Sequence, residues 1–128
     1  MSNIFSGGCL CGFIRFEATK PSNSHICSCN LCQKHTGSQT VVWIEFSSKD
    51  VQWVGEGHYP ATYRSSEFSS RAFCSRCGSS IGAIDDAPTV ALLTGVFDTP
   101  NDLDLKPGAH SFEDMTPEWW RKMLQISI

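Results

Sequence analysis

Gly7-Gly8-Cys9-Leu10-Cys11-Gly12 places two cysteines one residue apart between glycines. Thiols so close can meet on one ion, because a tight turn brings their sulfurs together. If the segment is extended, both side chains project to the same side. The flanking glycines relieve the backbone where it bends around an ion. Two thiols are half of a structural zinc site, which takes four ligands. The other half is found at Cys74-Ser75-Arg76-Cys77-Gly78, which has the form of a zinc knuckle with a glycine placed for a positive φ. A third group, Cys27-Ser28-Cys29-Asn30-Leu31-Cys32, holds three cysteines and is one ligand short of a tetrahedron. The 7 cysteines therefore divide into four and three. Zinc is closed by four ligands when structural and keeps three when a position stays open for chemistry.

A second partition competes. Cys29 and Cys32 could join Cys74 and Cys77 as a zinc ribbon, leaving Cys9, Cys11 and Cys27 over. The gap between those halves is far longer than the roughly 15–20 residues usual in such ribbons, which ranks this pairing second. The triplet also has histidines nearby. Either His25 or His35 would close it into a structural site, whereas water or a substrate thiolate would leave it open. Spacing does not decide between them.

The bulk properties agree with a small metalloprotein. At 128 residues the chain is read as one domain spanning 1–128, with a modest core that gains from a metal staple. A hydrophobic fraction of 41% excludes disorder, and a net charge of -3 leaves no electrostatic footprint for nucleic acid. No run approaches the ~20 apolar residues of a membrane span. Met1-Ser2-Asn3-Ile4-Phe5 lacks the basic and apolar regions of a signal peptide. The expected address is cytoplasmic, where thiols stay reduced and clustered cysteines serve as metal ligands or catalytic groups.

Short runs rich in β-branched and aromatic residues dominate the chain. Residues 13–18 put Ile14, Phe16 and Ala18 on one face and Arg15 and Glu17 on the other. Further strands are expected over 41–46, 51–54, 61–64, 71–73, 80–84 and 90–97, and the Pro-Ser-Asn-Ser stretch from Pro21 reads as a loop. One helical turn or two is expected over 30–35. Another helix is expected with Thr116 as N-cap and Pro117 first, carrying Trp119, Trp120, Met123 and Leu124 onto the body. The class is mainly β.

Taken in order, the motifs resemble the glutathione-dependent formaldehyde-activating enzyme family. They are Gly7-Gly8-Cys9-Leu10-Cys11-Gly12 with the strand after it, Cys27-Ser28-Cys29-Asn30-Leu31-Cys32-Gln33-Lys34 with Thr36-Gly37-Ser38, and Phe73-Cys74-Ser75-Arg76-Cys77-Gly78-Ser79. A weaker tail match runs through Thr94-Gly95-Val96-Phe97-Asp98-Thr99-Pro100, Leu105-Lys106-Pro107 and His110 to Trp119-Trp120. The resemblance implies a β-tent (Mss-four-like) fold of several coiled antiparallel sheets with short helices. It also implies two zinc ions. Cys9, Cys11, Cys74 and Cys77 match the structural ligands, and Cys27, Cys29 and Cys32 match a second, catalytic-type zinc. Ser28 stands where the family often has histidine. The implied reaction adds a small thiol such as glutathione to formaldehyde, giving S-hydroxymethylglutathione, and its reverse is carbon–sulfur lysis.

Lys34, Arg64 and Arg71 are candidate partners for glutathione carboxylates, each weighed against an ordinary surface charge. His110 and Asp98 fall in the tail motif; His110 is read as a hydrogen-bonded structural histidine ahead of a proton shuttle. Trp43, Trp53, Trp119 and Trp120 are read as core, with one ring available to wall a pocket. The alternative to an enzyme is a non-enzymatic, zinc-stabilised module that binds thiols or proteins. A methionine sulfoxide reductase of the B type fits poorly, because every cysteine is spoken for and no isolated nucleophile is left.

Overall fold

In the computed structural model, which describes residues 3–123, the alternation over 13–18 has one dry face and becomes a strand over Arg15–Ala18, with Phe13 and Ile14 in the bend before it. Ile14, Phe16 and Ala18 are buried and Glu17 is exposed. In chain order the strands are β1 (Phe5–Gly8), β2 (Arg15–Ala18), β3 (Ser22–Cys27), β4 (Val41–Ser47), β5 (Val51–Trp53), β6 (Ala61–Arg64), β7 (Ser69–Phe73), β8 (Ser80–Asp85), β9 (Thr89–Leu93) and β10 (His110–Ser111). Helix α1 (Asn30–Thr36) follows β3, and α2 (Glu118–Met123) lies beyond β10. The protein is mainly β, as the sequence implies.

The strands form two sheets. A three-stranded sheet runs β1-β2-β5, and a seven-stranded sheet runs β10-β3-β4-β9-β8-β7-β6. Every pairing is antiparallel except β10 beside β3, where His110 and Ser111 lie next to Ile26 and Cys27. The main core joins the small sheet to one face of the large one. Phe5, Phe16 and Val51 meet Ile44, Phe46, Ala72, Val90 and Leu92 there. Phe97 bridges the two, stacked on Phe46 at 6.1 Å and edge-on to Phe16 at 5.1 Å. Burying each such ring contributes roughly 1.5–3 kcal/mol.

Period-two alternation sends the intervening residues of the large sheet to its other face. Register then aligns Glu45, Ala91, Ala83 and Arg71 across four adjacent strands. Trp43 lies opposite His25 on the same face, and Asp85 lies opposite Ser69. Two alanines in the middle of this row leave a hollow where larger side chains would fill the surface.

Several elements differ from the sequence reading. Gly7 lies in β1, where a Cβ would sit 2.4 Å from the Val96 carbonyl oxygen and 2.6 Å from the Phe16 ring. Its role is close packing, not relief of a bend. The Pro-Ser-Asn-Ser stretch begins β3 instead of forming a loop. Its register shifts between Ser22 and His25, and Asn23 takes φ 47°, so turn-type residues sit within a strand. The expected strand 90–97 ends at Leu93 and gives way to a 3-10 turn at Thr94–Val96. At α2, Thr116 donates back to the Glu113 carbonyl at 2.6 Å and is not the cap. Trp119 and Met123 are each 56% exposed, so this helix does not bury the face expected of it. Leu124 lies outside the described residues.

Candidate metal centres

The turn after β1 and the turn after β7 face each other. Cys9 and Cys11 occupy the first, a turn and not an extended segment, and Cys74 and Cys77 occupy the second. Gly12 and Gly78 take φ values of 83° and 81°, the left-handed conformation that lets each chain reverse after its cysteines. The four sulfurs lie within 4.8 Å of one another. Cys11 Sγ stands 3.6 Å from Cys9 and 3.8 Å from Cys74. Thiolates at the tetrahedral zinc distance of about 2.3 Å would be about 3.8 Å apart, so the donor set fits that ion.

Backbone N–H groups are already aimed at these sulfurs. Ile14 N donates to Cys9 at 3.2 Å, and Arg76 N and Cys77 N donate to Cys74 at 3.3 and 3.4 Å. The Ser79 hydroxyl beside Cys77, with backbone donors, pulls that thiol down to about 5. Ser79 also accepts from Leu10 N at 2.9 Å, which ties the two turns together. Arg76 covers the cluster's edge with its guanidinium 4.2 Å above the Phe13 ring.

The second cluster sits on the other face of the large sheet. Cys27 ends β3, Cys29 caps α1 with its sulfur accepting from Cys32 N at 3.4 Å, and Cys32 lies in the first helical turn. Gly37 ends the helix in the left-handed conformation. The three sulfurs lie within 4.8 Å of one another, with Cys27 and Cys32 3.5 Å apart. Burial pushes the Cys27 thiol up to about 12, and the adjacent thiols reinforce this by repelling its thiolate. A divalent cation would remove that repulsion. This donor set also suits zinc, whose soft-leaning thiolate preference it meets.

Geometry resolves the competing partitions. Cys29 and Cys32 group with Cys27, and Cys74 and Cys77 group with Cys9 and Cys11. No histidine joins the triplet among the described residues. His25 Nδ1 bonds to the Asn23 carbonyl at 2.8 Å, while His35 packs on a neighbouring pocket with both ring nitrogens buried and unpartnered. Burial, with Arg71 nearby, holds the His35 pKa below its ordinary value.

The triplet opens into a cavity of about 220 Å³ lined also by His25, Trp43, Glu45, Arg71, Ala83, Asp85 and Ala91. Of the four tryptophans, Trp43 is the one that walls it. Arg71 lies over the Trp43 ring at 5.4 Å and directs Nη1 to Cys32 Sγ at 3.6 Å. The other proposed cations are elsewhere. Lys34 lines a separate pocket of about 470 Å³, and Arg64 pairs with Asp86 at 2.6 Å. Asp98 takes a two-pronged bond from Arg15 at 2.9 and 2.6 Å, outside the cavity at the triplet, and that guanidinium lowers its pKa.

Ser28 is fully buried beneath the triplet. Its hydroxyl donates to Thr40 Oγ1 at 2.9 Å, so His110 Nε2, 2.7 Å away, is the donor to it. Gln33 Nε2 donates to the Ser28 carbonyl at 2.7 Å. His110 therefore holds the cysteine loop from below, the structural reading of that residue. Glu45 and Asp85 were not singled out from the sequence, since only sheet register brings them to the cavity.

Comparison with known proteins follows the same lines. The family described as glutathione-dependent formaldehyde-activating enzyme matches residues 4–115. Among solved structures, the crystal structure of a Rhodobacter sphaeroides protein superposes with a TM-score of 0.64 at 18% identity, covering 83% of this chain and 99% of that one. At that identity the likeness is one of fold. No helix among the described residues is long and apolar enough to cross a membrane.

Proposed function

The chain belongs to the glutathione-dependent formaldehyde-activating enzyme family, and from that premise we propose that it is a zinc-dependent carbon–sulfur lyase of the cytoplasm, forming or cleaving a small hydroxymethyl thioether. The observation that carries this reading is the three-thiol cluster, which no fourth protein ligand closes among the described residues and which opens directly into a cavity. Cys9, Cys11, Cys74 and Cys77 take the structural role in this reading, and Cys27, Cys29 and Cys32 the catalytic one.

When bound by the triplet, zinc supplies deprotonation of a coordinated thiol, which in free form has a pKa near 8.5 and is mostly protonated at neutral pH. The protein's own groups do the rest. Arg71 places a fixed positive charge against Cys32 and offsets the excess of thiolate charge. Trp43 holds that guanidinium in place from beneath. The alanine floor leaves room for a one-carbon aldehyde next to the sulfur. Holding thiol and aldehyde in contact removes much of the entropic barrier to their union.

The reaction balances without a redox partner. The thiol sulfur attacks the aldehyde carbon, the carbonyl π electrons move to oxygen, and the proton lost by sulfur is matched by the one oxygen gains. Reversal breaks the same carbon–sulfur bond. The test is formaldehyde consumption with glutathione, followed against the uncatalysed rate. Acceleration by the wild type and loss of it in Cys29→Ser, with circular dichroism unchanged, is expected. A rate equal to background for glutathione and other small thiols overturns the reading in favour of a non-enzymatic module.

A further inference from the structure

We propose that the hollow beside the three-thiol cluster selects thiols carrying an ammonium group close to the sulfur, in preference to thiols carrying a carboxylate there. The inference rests on the reading of that cluster as the thiol site.

Its basis is the fixed charge left free to meet a substrate. Two carboxylates, Glu45 and Asp85, face the same cavity as the thiols across the floor formed by Ala83 and Ala91. Glu45 takes a bond from Asn23 Nδ2 at 2.5 Å and has His25 Nδ1 4.0 Å away, both on Oε2, which leaves its other oxygen available. Asp85 stands next to Asp86, and it is Asp86 that takes the Arg64 guanidinium. Among the described residues Asp85 has no ion pair. The one guanidinium in the cavity already faces the thiols, since Arg71 gives Nη1 to Cys32 Sγ and lies over the Trp43 face. Lys34 lies in the larger pocket and does not reach this one.

The charge balance is therefore negative. Even with the His25 ring counted as a cation, two carboxylates and the one-charge excess of three thiolates over a divalent ion outweigh it and the one guanidinium. A substrate carboxylate entering this small hollow meets repulsion, whereas an ammonium meets attraction from both carboxylates. Size points the same way. A cavity of about 220 Å³ falls below the roughly 300–1,000 Å³ of ordinary ligand pockets, so it takes the reacting end of a small thiol. An aminothiol such as cysteamine offers a sulfur and an ammonium two carbons apart. Glutathione keeps its ammonium remote from the sulfur and adds two carboxylates, so it ranks between the extremes.

Protein loaded with cobalt(II) reports thiol coordination through its visible absorption, independently of any turnover. Titration at pH 7 with cysteamine, 3-mercaptopropionate and glutathione gives three dissociation constants. The expected result is a preference for cysteamine over 3-mercaptopropionate about tenfold greater in the wild type than in the Asp85→Asn, Glu45→Gln double variant, the effect of two partly exposed charge pairs. Asp85→Asn and Glu45→Gln should each lower the wild-type preference about threefold. Differences in thiol acidity are common to all variants and cancel in this comparison. A preference that the double variant leaves unchanged overturns the inference while the thiol site stands. Failure of all three thiols to alter the spectrum overturns the thiol site itself, and the inference with it.

Discussion

Arg71→Met keeps most of the side chain's length and removes its charge. In the native protein the guanidinium donates to Cys32 Sγ at 3.6 Å, lies 5.4 Å from the Trp43 ring, and leaves Nε buried without a partner. A hydrogen bond to a charged acceptor contributes about 1.5–3 kcal/mol, and the long sulfur contact places this one near 1.5 kcal/mol. That is about a tenfold loss in metal retention by the triplet. Global stability should respond differently. The lost cation–π contact, about 0.5–1 kcal/mol, is offset by removal of the unpartnered Nε, which costs about 1–3 kcal/mol. The expected outcome is earlier release of the less tightly held metal to a chelator, with a urea midpoint almost unmoved. Arg71→Lys keeps the charge without the planar stack and should recover part of the retention. Unchanged retention in Arg71→Met, or a loss of metal that tracks unfolding, would refute the reasoning.

Cys74 is fully buried in the main core, so Cys74→Ser should unfold the protein or lower its melting temperature steeply, because structural metal binding is coupled to folding. Cys29→Ser should leave a folded protein lacking one metal; equal unfolding in both, read by circular dichroism, contradicts the division of roles. Gly7→Ala drives a Cβ toward the Val96 carbonyl and the Phe16 ring and should cost about 1–3 kcal/mol, seen as a lower denaturant midpoint. For His35 the folded pKa lies below the ordinary 6.5, first through burial and then through Arg71. Below about pH 6.5 the unfolded chain binds a proton that the folded one refuses, so stability falls with pH until the folded pKa is passed. His35→Asn should flatten that part of the stability profile relative to wild type, and an unchanged slope counts against the buried neutral ring.

Much of the site was legible because cysteine spacing reports local geometry directly. The four-and-three partition needed only the rule that neighbouring thiols share an ion, and alternation over Ile14, Phe16 and Ala18 gave a correct buried face. Misses occurred where tertiary contact overrides local pattern. Gly7 looked like bend relief and is a strand residue pressed against Phe16. Asn23, with its positive φ, disguised the start of β3 as a loop. Two-residue β10 has no periodicity to read, yet it brings His110 under Ser28. Trp43 could not be told from Trp53, whose ring packs on Phe16 and Tyr59 instead. Glu45 and Asp85 are forty residues apart along the chain by numbering, and only the pairings of β4 with β9 and β9 with β8 bring them to one hollow.

The most direct measurement is zinc per chain on protein purified without added metal, repeated during titration with glutathione. Two zincs, the less tightly held one perturbed by the thiol, are expected from one closed cluster and one open cluster. A single zinc indifferent to thiols would contradict the open centre and the lyase reading built on it.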